Sequence, residues 1–458
     1  MRFAMKETRT LITAGTILVL AVSVLPAEGT HAKQTYVLSS GRKGGNIDRV
    51  AGVLEVGGEL TEAVDEKVQR MKMRVDCTFS YDEKTLELPS GPANRWRSAR
   101  YYDQLDAVIK VENEVVKPVL RGERRLIGVA IELPKTTLFS PHGTLTREEL
   151  DLIDVPANSL LLDRLLPEKP AAIGDTWKLP EELMVAWLGL DAVSRSDVQC
   201  VLKEVTDAVA RIELSGRVEG ASDGVSTDIE LKARYRYDRR SKRIDWLGLL
   251  VKEQRSIGHV KRGVDVVARF QLTISPKGAS PQLTDAALEN LTLEPTAALS
   301  QLSYASPEGV WRITHDRCWH VIGDHRELTI LRRVDRGELI AQCNVSILPK
   351  VAPGKQITLA DFQEDVQKAL GETFGQFVEA GKRANDANYR VYRVAVRGEV
   401  SQLPIRWNYY LVADEHGHQV ALAFTVEEKL LERFQNADEA LIRSLRFVDP
   451  KAISAGEP

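Results

Sequence analysis

The sequence predicts an α+β protein in two parts, a large curved antiparallel sheet domain with a helical crossover followed by a smaller α/β sandwich. Three observations lead there. Apolar and polar residues alternate with period two through most of the first half, most clearly at Met71, Met73, Val75, Cys77, Phe79 and Tyr81. Prolines 156, 167, 170 and 180 break a helical stretch that interrupts this alternation. In the second half a helical stripe of Leu359, Phe362, Val366, Leu370, Phe374 and Phe377 stands between further alternating runs.

With 458 residues, 43% of them hydrophobic and 28% charged, the chain has material for more than one core. A net charge of -3 supplies no bulk attraction to nucleic acid or to an anionic membrane. Arg2, Lys6 and Arg9 precede an apolar run from Leu11 to Leu25 and small residues at Ala27 and Ala32, the pattern of a secretory leader. That run is shorter than the roughly 20 residues a membrane-crossing helix needs, so cleavage between Ala27 and Ala32 and a periplasmic or secreted product are expected. The expected order is therefore leader 1–32, flexible Gly-rich segment 33–47, curved-sheet domain 48–277, linker 278–302, sandwich 303–449 and tail 450–458.

Within the curved-sheet domain, strands are expected after the Met71–Tyr81 run at 106–117 and 125–132. Thr146 and Glu149 have capping-box spacing and open a short helix. The crossover at 156–187 precedes strands at 198–205, 208–217, 227–237, 243–252 and 264–274. In the second domain the expected order is strands near 310–322, 327–333 and 338–348, a helix over 359–380 capped by Thr358 and Asp361, and strands at 389–399, 405–413 and 419–427. A terminal helix carrying Leu430, Leu431, Phe434, Leu441 and Leu445 closes the chain.

That order, with Gly309, Val310 and Trp311 at the entry strand, Asp361 and Phe362 opening the helix, Pro404 to Tyr410 in a middle strand and Ser444 to Phe447 at the close, resembles the PsbP-like and DcrB-like α/β sandwich. The resemblance covers 303–449 and implies a compact accessory domain of exported proteins, with no active site to carry over. The first half resembles bacterial secreted β-rich proteins in Leu166, Pro167 and Pro170 leading to Gly174, Asp175, Thr176 and Trp177, and in Tyr235, Tyr237 and Asp238 before a hairpin. Its curved sheet is also similar to lipoprotein-carrier half barrels, an analogy of fold alone.

Four cysteines allow a bridge within each half, Cys77 with Cys200 and Cys318 with Cys343. His315, Cys318, His320 and His325 are the densest group of metal-ligand types, with no standard zinc spacing; turn histidines around a buried Cys are the plainer reading, and a metal site the alternative. Gly220 to Gly224 match a nucleophile-elbow pattern, but strands on both sides make the segment a hairpin loop. Basic and aromatic residues interleave at 95–102 and 234–243 as they do on any half-buried strand, so no nucleic-acid partner is expected. The leading reading is an exported, non-catalytic binding or accessory protein of the cell envelope, with no cofactor. The plainer reading of its concave face is that the crossover fills it as core; the functional one is that the cover is incomplete and a lipid or other amphipathic ligand lies along Met71, Met73, Phe79 and Tyr81. The alternatives are a metal-dependent hydrolase built on the 315–325 group and a structural module that docks an envelope protein.

Overall fold

The computed structural model describes residues 33–64, 67–89, 95–352 and 357–448; the expected leader and tail lie outside the described residues. The first half forms a single antiparallel sheet. Its strands run in the order Lys135–Phe139, Leu126–Glu132, Arg95–Val111, Lys67–Glu87, Ile47–Val64, Gly263–Lys277, Arg243–Arg255, Val225–Asp238, Val209–Ser222, Gln199–Val205 and Thr176–Lys178, with two short strands added alongside. Chain neighbours are mostly sheet neighbours; the longest-range exception is Ile47–Val64 beside Gly263–Lys277, which pairs the first strand of this sheet along the chain with the last. The expected alternation at Met71 to Tyr81 belongs to a 21-residue strand that pairs with Ile47–Val64 from Lys67 to Lys84.

The crossover covers one face of this sheet. Leu160, Leu161, Leu162, Leu165, Leu166 and Trp187 are all buried in one core with Phe79, Tyr81, Tyr235 and Leu272. The capping box at Thr146 forms as expected: the Glu149 N–H donates to Thr146 Oγ1 at 3.2 Å and the Thr146 N–H donates back to Glu149 Oε2 at 2.9 Å. Two segments expected to be loose are packed instead. Residues 33–47 do not trail, because Thr35–Tyr36 pair with Ala171–Ala172 and Arg42 is buried between Asp48, Glu83 and Asp163. The expected linker 278–302 lays Leu283 and Leu288 against Ala99 and Leu126, and Lys84 Nζ donates to the Leu283 carbonyl at 3.0 Å.

Beyond it, Leu302–Ala305, Trp311–His315 and Arg446–Phe447 form a small sheet, and a seven-stranded antiparallel sheet follows in the order Trp319–His325, Leu328–Asp335, Glu338–Leu348, Gln419–Glu427, Leu403–Ala413, Arg390–Val400 and Phe374–Arg383. The entry strand expected at 310–322 is thus split between two sheets at Asp316–Cys318. The helix expected over 359–380 ends at Leu370, where Gly371 takes a left-handed φ of 53°, and Phe374–Arg383 is an edge strand. Phe362 and Val366 bury the helix on one face of the sheet; Phe434, Leu441 and Ile442 cover the other. There Asp438 accepts hydrogen bonds from Asn408 Nδ2 and the Tyr410 hydroxyl, each at 2.8 Å, fixing the terminal helix on the sheet.

Candidate ligand-binding cleft

Side chains that share a face across the large sheet can be followed rung by rung from the strand register. One rung runs Tyr235, Leu247, Leu272, Gly52 and Phe79; three rungs along, another runs Ile229, Glu253, Val266, Gly58 and Met73. The first is buried under the crossover. The second is where the cover gives out. Between the two a cleft of about 330 Å³ opens, floored by Leu54, Val56, Ala268, Val266, Val251 and Ile229 and roofed by Val155, Pro156, Ala186, Leu188 and Leu190. That volume lies at the lower end of the range of small-molecule sites.

Polar groups also line the cleft. Asp151 and Asp154, at the close of the Arg147–Ile153 helix, line the cleft with Asn158, Glu253, Arg255 and Lys261. Arg255 Nη2 donates to Glu253 at 2.7 Å and Lys261 pairs with Asp223, so two of these charges are already neutralised. Asp151 and Asp154 are exposed at the mouth of the cleft, and the partial loss of surrounding water there raises both carboxyls above their ordinary range despite Lys261, Arg147 and Arg317 nearby. Neither carboxylate has an ion-pair partner within 4 Å among the described residues, and Arg147 and Arg317 spend donors on backbone carbonyls, those of Arg317 and Leu138.

Of the predicted ligand-contacting residues, Phe79 and Tyr81 are core. Phe79 stacks on Tyr81 and Phe270, and the Tyr81 hydroxyl donates to Ser159 Oγ at 2.9 Å under the Arg100 guanidinium. They are corrected from ligand contacts to packing, since the crossover covers that half of the face. Met71 and Met73 are half-buried and lie past the cleft on the same face. The aspartates and Lys261 escaped the sequence reading; the one available signal was Asp151 and Asp154 three residues apart at the end of a capped helix.

The predicted metal group does not assemble. Among the described residues no three His, Cys, Asp or Glu side chains are grouped to hold a metal. His315 is buried with Nδ1 on the Asp316 carbonyl at 2.7 Å, Cys318 precedes the strand that carries His320, and His325 ends that strand exposed. Burial, with Arg147 and Lys261 beside it, presses the His320 imidazole down to about 4, surroundings that repel a further cation. Neither predicted disulfide forms: Cys77, Cys200, Cys318 and Cys343 are all free thiols, and five strands separate Cys77 from Cys200 in the sheet. The basic residues at 234–243 face carboxylates, Arg234 on Glu213, Arg236 on Asp245 and Arg243 on Asp48. At 220–224, Gly224 turns a hairpin between two strands and Ser222 lies within the first.

What the fold and the cleft define is an α+β protein of mostly antiparallel sheet, one face of which is partly covered by the crossover. No family model matches the chain, and no curated protein matches it. Among solved structures it is similar to the cyanobacterial PsbP of Synechocystis sp. PCC 6803, at 14% identity over 32% of this chain and 92% of that one with a TM-score of 0.26. It is also similar to a protein of Bacteroides thetaiotaomicron, at 11% identity over 32% of this chain and 49% of that one with a TM-score of 0.26. The translocator domain of the autotransporter NalP from Neisseria meningitidis matches at 7% identity over 85% of this chain and 90% of that one, with a TM-score of 0.13.

Proposed function

We propose that this chain is an exported, non-catalytic binding protein of the cell envelope whose first half carries an apolar or amphipathic ligand and whose 303–449 region is a PsbP-like accessory module. The observation that supports the first part is the cleft itself: about 330 Å³ between an aliphatic floor and roof, with charged groups among its lining. Export is supported by the basic and apolar pattern of the first 32 residues. The accessory module is supported by its element order, a meander, a capped helix and four strands before terminal helices. Titration with a fluorescent neutral alkyl-chain probe tests the ligand reading. Saturable binding is expected in the wild type and its loss in Ala268→Phe, which fills the cleft from the floor; equal binding by both proteins, or none by the wild type, overturns it.

A further inference from the structure

We infer that the ligand is a cationic amphiphile, an alkyl or similarly apolar chain ending in an ammonium or guanidinium group that pairs with Asp151 and Asp154. The inference rests on the reading of the cleft as a ligand site and adds its charge preference. The lining holds three carboxylates, Asp151, Asp154 and Glu253, against two cations, Arg255 and Lys261. Arg255 is taken by Glu253, and Lys261 by Asp223 from the neighbouring hairpin. The remaining two carboxylates face one another's charge from successive turns of the Arg147–Ile153 helix and its C-cap, with no partner within ion-pair distance among the described residues. Arg147 and Arg317 lower their cost at longer range but donate to carbonyls, and His320 is neutral at ordinary pH. A cation at the mouth would relieve the repulsion between the two aspartates, and an anionic head group would add to it. Its apolar chain would then lie against Leu54, Val56, Ala268 and Val251 of the sheet.

The test compares decyltrimethylammonium, neutral decyl maltoside and decyl sulfate, each below its micelle concentration, by isothermal titration with the full chain. The ammonium should bind about tenfold or more tighter than the maltoside, and the sulfate weakest. Asp151→Asn with Asp154→Asn should erase that preference while leaving decyl maltoside binding within about twofold. Ala268→Phe should abolish binding of all three, with circular dichroism confirming that each variant remains folded. Equal affinity of the wild type for the ammonium and the maltoside overturns the charge preference and leaves the cleft as a neutral apolar site. Absence of binding by any of the three overturns the charge preference together with the ligand reading.

Discussion

Ser159 donates its hydroxyl hydrogen to the carboxylate of Glu83 over 2.7 Å, tying the first turn of the crossover to the interior of the sheet. Glu83 is fully buried and also accepts from Ser98 Oγ and Arg100 Nε, each at 2.8 Å, with Arg42 at 3.5 Å. Burial alone would raise its pKa, but Arg100, Arg42 and these hydrogen bonds outweigh it and hold the carboxyl at about 2. The network is therefore a fastening for the roof of the cleft.

Stability should depend on pH through this group. An unfolded Glu titrates near about 4.3, above the folded value, so its stabilising contribution is complete above that pH and drains away as pH falls toward about 2. Urea midpoints measured from neutral pH down to about 3 should fall more steeply for wild type than for Glu83→Gln. Parallel curves would show that Glu83 is not the group responsible.

Arg42 plugs the same network from the other side, with its side chain only 3% exposed and three acids around it. Arg42→Met should destabilise the protein by about 3–5 kcal/mol, because it leaves buried Glu83 and Asp48 with one cation fewer. A change below about 1 kcal/mol by chemical denaturation would mean that the 33–47 segment is merely laid on the surface.

The thiols give a third test. Burial pushes Cys77 up to about 11 and Cys200 up to about 12, and raises Cys343 well above its ordinary value, so these three should be inert to a thiol reagent at neutral pH in the folded chain. Half-buried Cys318 should react alone and slowly. All four should titrate in denaturant without reductant, and reductant should leave the melting temperature unchanged. Two missing thiols in denaturant would mean that a bridge forms.

Local pattern carried the sheet into view: the alternation of Met71 to Tyr81 gave both the strand and the face it turns inward. The same pattern cannot say how far a face is covered, and so Phe79 and Met73, alike in the sequence, end in core and half-buried past the cleft. Gly371 shows another limit. The apolar stripe continues with helical spacing through Phe374 and Phe377, but the chain reverses at the glycine, and the two aromatics pack against each other on an edge strand at 4.9 Å between ring centres. Arg42 and the cleft aspartates were illegible for a different reason. Their partners or neighbours lie far away in the chain, Glu83 and Asp163 for the first and the sheet floor for the second, and charge placement of that kind leaves no periodic trace.

Gly52 and Phe79 give the last prediction, because they are direct partners across two strands and the phenyl ring lies over the glycine. A Cβ on Gly52 would stand 2.2 Å from Phe79 Cζ, closer than any real contact. The ring has little room to withdraw, since Tyr81 and Phe270 stack against it with centroids at 5.9 and 6.2 Å. Gly52→Ala should therefore cost about 1–3 kcal/mol by overpacking, even though alanine ordinarily suits a strand no worse than glycine. Phe79→Leu alone should also destabilise, by removing buried ring surface. In the double variant the two costs should fall short of their sum, because the shorter side chain clears the space the methyl needs. Denaturation of the four proteins measures the difference, and strict additivity would show that the ring does not depend on the absent side chain.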